Sequence, residues 1–160
     1  MASSAPTISA PTTPAAPAAP ASIGERILLF GLSGHVHGCA LTAVREIVPL
    51  RPATRLPGAP NYVLGLVNLR GTIVTVIDLG RRLLHGGRVR GDGSVILVEA
   101  GAKVVGVAVD EVRDVQTIPP EAIDPVGAGT EGGVVRGLVH LDGQVVVLLD
   151  MQTLVRQVLL

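Results

Sequence analysis

The 160-residue sequence is short of aromatic side chains: it has no tryptophan, and Tyr62 and Phe30 are its only other large rings. Two rings cannot build a stacking platform for bases or sugars, nor an aromatic groove for a proline-rich peptide. A single cysteine, Cys39, excludes an internal disulfide and gives no mark of a secreted, disulfide-stapled domain. Net charge is also absent, with 13 basic against 13 acidic residues. Nothing therefore draws the whole chain to nucleic acid or to an acidic membrane surface. After residue 22, Gly, Arg, Asp or His interrupts every apolar run before it reaches the ~18 residues that a spanning helix needs. The mean hydropathy of +0.52 is then that of buried strands, and the sequence predicts a cytoplasmic protein without direct membrane insertion. Such a chain must meet partners with aliphatic surface, backbone and arginine, which supplies 12 of the 13 cations.

Residues 1–22 are nearly all Ala, Pro, Ser and Thr and carry no charge. Proline blocks helix and ladder hydrogen bonds, and the rest offer little to bury, so this segment reads as a disordered tail. It lacks the basic start and leucine-type core of a signal peptide. The folded part is expected over residues 23–160.

That part contains a repeat. Residues 63–79 match 135–151 at an offset of 72 in eight of 17 positions: Val63, Gly65, Leu66, Val67, Leu69, Gly71, Val74 and Asp78. Residues 27–48 match 95–116 at an offset of 68, sharing Leu29, Val36, Gly38, Ala40, Val44 and Arg45. Two blocks in the same order point to duplication. Each copy consists of Val-, Ile- and Leu-rich runs bounded by Gly, Asp or Arg, the pattern of strands. Ser33-Gly34, Ala100-Gly101 and Asp142-Gly143 read as hairpin turns, and 68–71 as another tight connection. Short helical turns are expected around 42–46, 79–84 and 151–158. The sum is an all-β fold of two small barrels, roughly residues 25–92 and 93–160, with strand exchange between them allowed. Barrels that small are marginal alone, so they are expected to share an apolar interface.

The balanced charge hides a division. Residues 42–92 carry eight cations and three acids, whereas 93–160 carry four cations and nine acids. Either two solvated faces neutralise each other, or opposite charges are presented to different partners.

Signals for chemistry are weak. His35, His37 and Cys39 would share one face of a strand, but the outer pair would lie roughly 13 Å apart, too far for one ion. Cys39 reads as a small core residue and the histidines as the strand's start. Gly127, Gly129 and Gly132 fit G-x-G-x-x-G, yet the strand-then-helix context of a dinucleotide site is missing. Ser33 lacks the second glycine of a nucleophile elbow. Asp78 and Asp150 occupy equivalent places at strand ends. They could form an acid–base pair, but the following turns favour a capping role for each. No catalytic residue, metal or cofactor is assigned.

More specific are Val44-Arg45-Glu46-Ile47, Leu56-Pro57, Tyr62-Val63-Leu64-Gly65, Val67-Asn68-Leu69-Arg70-Gly71, Val76-Ile77-Asp78-Leu79, residues 105–112 and Leu148-Leu149-Asp150. In this order and at these spacings the chain resembles the CheW-like coupling proteins of bacterial chemosensory systems. The resemblance covers residues 25–158. It implies two SH3-like five-stranded barrels related by an approximate two-fold, and few short helices. It also implies a non-enzymatic adaptor between the cytoplasmic tip of methyl-accepting chemoreceptors and the regulatory domain of a CheA-type histidine kinase, held at membrane receptor arrays by protein contacts. A related array or kinase-binding protein that does not itself couple the two is the alternative.

By the same resemblance Arg70 is the arginine of N-x-R-G associated with coupling, or else a charged turn residue. Glu46 matches the glutamate of V-x-E-I associated with receptor binding, or else is a surface charge. Val44 and Ile47 belong to that contact or to the core. Gly65 and Asn68 would shape the surface carrying Arg70, glycine through positive φ and asparagine through turn hydrogen bonds.

Overall fold

A computed structural model describes residues 24–84, 89, 92–125 and 133–159. The Ala/Pro tail and the Gly127, Gly129, Gly132 spacing lie outside the described residues. Each copy opens with a hairpin that is apolar at nearly every position. β1 (Glu25–Leu32) pairs with β2 (His35–Ala40), and β6 (Ser94–Ala100) pairs with β7 (Lys103–Val109). In the first copy β3 (Val44–Pro49), β4 (Val63–Leu69), β5 (Thr72–Asp78) and α1 (Leu79–Leu84) follow. In the second copy the order is β8 (Glu111–Ile118), the short β9 (Ile123–Pro125), β10 (Val135–Leu141), β11 (Gln144–Leu149) and α2 (Met151–Leu159).

The strands form two sheets, ordered β8-β1-β2-β11-β10-β9 and β3-β6-β7-β5-β4. Each opening hairpin sits in the sheet built by the other copy. The first sheet thus takes residues from 25–40 and 111–149, and the second from 44–109. That partition differs from a single cut at residue 92. The pairings repeat under the two offsets. Parallel Thr75↔Val105 has its counterpart in Val147↔His37, and antiparallel Val44↔Val98 in Phe30↔Val112. The first sheet scores six strands because β9 pairs with β10, whereas its counterpart in the second is the single bridge Thr54↔Leu66.

Side-chain alternation explains why the hairpins read as continuous apolar runs. Ile27 and Leu29 face a core inside the first sheet with Val36, Ile118, Val139, Val146 and Leu148. Val95 and Leu97 face the equivalent core of the second with Val67, Val74 and Val76. The alternate residues Leu28, Phe30, Leu32, Ile96 and Val98 face a third core between the sheets, closed by Leu79, Leu83, Met151, Leu154 and Val155 of the helices. The shared apolar interface expected from size is therefore the largest of the three cores.

Ser33-Gly34, Arg70-Gly71 and Asp142-Gly143 all have positive φ at both residues, the hairpin turn whose twist suits the flanking strands. The β6–β7 turn sits at Gly101-Ala102, one residue later than expected. The short helical turn expected around 42–46 lies one residue earlier and is shorter. A 3-10 turn takes Leu41–Ala43 and residues from Val44 onward extend, because Val44, Ile47 and Val48 pair along β6. Among the described residues no helix is long and apolar enough to cross a membrane.

Both aspartates cap helices. Asp78 Oδ1 accepts the Arg81 N–H and Oδ2 the Val89 N–H, each at 3.1 Å. Asp150 Oδ1 accepts the Thr153 N–H at 3.1 Å and Oδ2 the Thr153 hydroxyl at 2.9 Å. Asp78 is buried, so Asp78→Ala strands two N–H groups away from water. It is expected to cost about 2 kcal/mol in urea unfolding, against about 1 for Asp150→Ala.

His37 is buried and stacks on Phe30 with ring centroids 5.9 Å apart. His35 stays exposed at the strand start. Burial lowers the His37 pKa, opposed by its contact with the His35 carbonyl. The unfolded chain therefore binds a proton at higher pH than the folded one. Stability from this group is complete above the unfolded value near 6.5 and falls as pH drops through the folded value. Urea midpoints are expected to decline as pH falls below about 6.5 in the native chain, and less steeply in His37→Gln.

Candidate functional site

In the linear strand order β3 and β4 are the two edges of the second sheet. The sheet curls until those edges meet, and Glu46 and Arg70 meet across the seam. Glu46 lies on β3 just past a bulge that lets Val44 and Glu46 face successive partners on β6. Arg70 stands at the tip of the β4–β5 hairpin with φ +52°. Its Nη1 donates to Glu46 Oε1 at 2.8 Å, and its Nη2 donates to Oε2. The pair is two-pronged, the arrangement that suits guanidinium and carboxylate.

The turn holds Arg70 where it can do this. Asn68 Oδ1 accepts the Gly71 N–H at 2.9 Å. A non-glycine residue at positive φ is disfavoured, and this side-chain bond helps keep the turn closed. Gly65, with φ +139°, lets β4 pass against the Thr54 carbonyl. There Thr54 and Leu66 exchange N–H···O bonds of 2.9 and 2.8 Å. The connection after β3 is thereby pinned onto the strand that leads to Arg70.

The pair is electrostatically firm but wet. The Arg70 side chain is 74% exposed and that of Glu46 32%. The Arg70 hydrogen bonds hold the Glu46 carboxyl below its ordinary pKa, and Glu46 raises that of Arg70. Exposed pairs contribute little to stability, so an arginine held this rigidly in water is a shaped, charged surface feature. Val44 packs against the core between the sheets, while Ile47 on β3 is 40% exposed.

Four of the six residues singled out in the sequence thus converge on one structure: Glu46 and Arg70 touch, and Asn68 and Gly65 position the strands that bring them together. Val44 turns inward and Ile47 outward. Sequence reasoning missed Ile73, which is 59% exposed and pairs opposite Asn68 beside the tip. Its repeat equivalent Val145 is 49% exposed. The alignment that set Ile73 opposite Val145 was the available signal. Also missed was Glu99, which ties Arg45 at 2.9 Å and, through its backbone carbonyl, Gln152 on α2 at 2.7 Å.

The equivalent place on the first sheet is different. Asp142 occupies the turn and Asp114 the edge strand, both lining an open notch of about 210 Å³ with Arg113, Gln116 and Gln144. Among the described residues no ion pair closes that seam. Among the described residues no three His, Cys, Asp or Glu side chains are grouped so as to hold a metal ion.

Comparison with known proteins places these features. A family model described as the CheW-like domain matches residues 26–159. The chain is 34% identical over 139 residues to a probable chemotaxis protein CheW of Rhizobium etli, covering 82% of this chain and 88% of that one. It is 32% identical over 139 residues to the chemotaxis protein CheW of Klebsiella aerogenes, covering 83% and 82%. The crystal structure of the scaffolding protein TtCheW from Thermoanaerobacter tengcongensis superposes with a TM-score of 0.73 at 30% identity, covering 81% of this chain and 86% of that one.

Proposed function

The chain belongs to the CheW-like domain family of chemotaxis scaffolding proteins, and from that premise we propose that it couples the cytoplasmic tip of methyl-accepting chemoreceptors to the regulatory domain of a CheA-type histidine kinase. The reading assigns it to the cytoplasm, at membrane receptor arrays, through protein contacts alone. It assigns no reaction; the two equivalent carboxylates at strand ends, Asp78 and Asp150, are engaged as helix caps.

The observation that carries the proposal is the Arg70–Glu46 pair. A charged hairpin tip is held in one geometry by Asn68, Gly71 and Glu46, yet stands mostly in solvent. A fixed, exposed guanidinium beside the exposed aliphatic Ile73 offers a partner one polar and one apolar anchor at low ordering cost. Glu46, Arg70 and Ile47 are the residues assigned to partner contact, with Asn68 and Gly65 positioning them and Val44 supporting from the core.

The test is reconstitution with a CheA-type kinase and receptor-bearing membranes. Adding this chain is expected to raise receptor-dependent autophosphorylation of the kinase and to bring kinase down with the membranes. Kinase binding with no receptor dependence would instead make it an array or kinase-binding subunit that does not couple.

A further inference from the structure

Arg45 sits in the bulge that presents Glu46. Val44 and Glu46 oppose Val98 and Leu97, successive residues of β6, so Arg45 is the extra residue of β3. A bulge leaves its extra residue unpaired and the ladder locally broken. The strand is therefore less firmly held there than a regular edge, and Glu46 would move with it.

A side-chain tie spans this gap. Arg45 Nη1 donates to Glu99 Oε2 at 2.9 Å, reaching from β3 to the end of β6. Glu99 is held from its other side, since its backbone carbonyl accepts Gln152 Nε2 of α2 at 2.7 Å. The bulge is thereby fastened, through one residue, to a helix that closes the core between the sheets. Both side chains of the ion pair are more than half exposed. Such a pair adds little to stability, so what it supplies is geometry.

The other copy lacks this tie. At the offset of 68, Arg113 stands for Arg45 and Asp114 for Glu46, and β8 is bulged at the same place against β1. The residue standing for Glu99 is Gly31, which has no side chain. Arg113 donates instead to Glu111 on its own strand, at 2.8 Å. Cross-strand tie and seam pair occur together in the second sheet, and among the described residues both are missing from the first.

We infer that Arg45 is a positioning residue: tied to Glu99, it fixes the bulged edge of β3 so that Glu46 meets Arg70. Its bearing on coupling rests on the partner-contact role proposed above for that pair.

Titration of Glu46 by carboxyl NMR in the full chain separates position from charge and needs no partner. Among the described residues the charged groups acting on Glu46 are Arg70, which holds its carboxyl low mainly through hydrogen bonds, and Arg45. Arg45→Ala should raise the Glu46 pKa by either route. Glu99→Ala divides them, because loss of an anion alone lowers that pKa, whereas a loosened Arg70 pair raises it. A rise is expected in both variants, with the double variant no higher than Arg45→Ala alone. In the reconstituted assay each single variant should lower receptor-dependent kinase activation roughly threefold or more, with circular dichroism and melting temperature unchanged. Arg45→Lys, which keeps a long cationic side chain, should recover part of the loss. Arg113→Ala should move neither readout. A Glu46 pKa that falls or stays put in Glu99→Ala overturns the inference. So does normal activation by both single variants where Arg70→Ala is defective, since the placement of Glu46 then does not govern coupling. Normal activation by Arg70→Ala as well would fault the partner-contact role instead, and the titration would still decide whether the tie places Glu46.

Discussion

Arg70→Ala leaves the chain folded and removes most receptor-dependent kinase activation, by on the order of tenfold or more, the scale of losing a charged anchor at an interface. The side chain is largely solvated and, among the described residues, its hydrogen bonds go to Glu46, so melting temperature should hardly move. The same substitution frees Glu46, and two further variants separate the consequences. Glu46→Gln keeps the shape of the edge strand and leaves Arg70 its charge. If Arg70 is the main polar anchor and Glu46 a lesser contact, Glu46→Gln loses less coupling than Arg70→Ala. The exchange Glu46→Arg/Arg70→Glu restores the pair in reverse; a latch would be rescued by it, and a direct contact would not. Normal activation by Arg70→Ala in the reconstituted assay would remove Arg70 from the site.

Gly65→Ala is expected to lose coupling by another route, through the fold. At φ +139° a side chain is strained whatever the space around it, and here the added Cβ meets the Thr54 backbone carbonyl. Backbone cannot swing aside as a side-chain tip can, so β4 and the connection after β3 must separate. That breaks the two Thr54–Leu66 hydrogen bonds and opens the seam. The cost is roughly 3 kcal/mol or more, a large part of a small domain's total. Urea unfolding should show a marked drop in midpoint, and lost activation should follow the unfolded fraction. Gly71→Ala, where a Cβ would meet nothing within 4 Å, should cost less, since only the φ penalty applies. Equal stability of Gly65→Ala and the native chain would refute this account of the seam.

The contrast between these residues also shows what the sequence could reveal. Repeats, strands and helix caps were legible because they are local. Val-rich runs, Asp before a short helix, and Gly after Ser, Arg or Asp each carry their own stereochemical reason. The chain's similarity to a known family was legible through ordered fragments. The Glu46–Arg70 contact was not, because the residues are 24 apart and lie on opposite edges of a sheet. Only the curl of that sheet joins them. Strand exchange was allowed by the sequence, but which strands cross was not legible, since an alignment of copies records their likeness and not which copy fills which gap. Val44 and Ile47 look alike in sequence, yet Val44 packs against the core between the sheets while Ile47 is left partly open to water.

The crossed placement of β1–β2 and β6–β7 has a mechanical meaning. Divide the covalent chain anywhere between α1 and β6, and each piece still owns strands in both sheets. The first piece keeps a hairpin clamped between strands of the second, and the second keeps one clamped between strands of the first. The two copies are fastened like a pair of folded hands, so pulling on one sheet loads the other, and neither can be drawn away while its partner stays whole. A tether on either face of such a molecule is a tether on all of it.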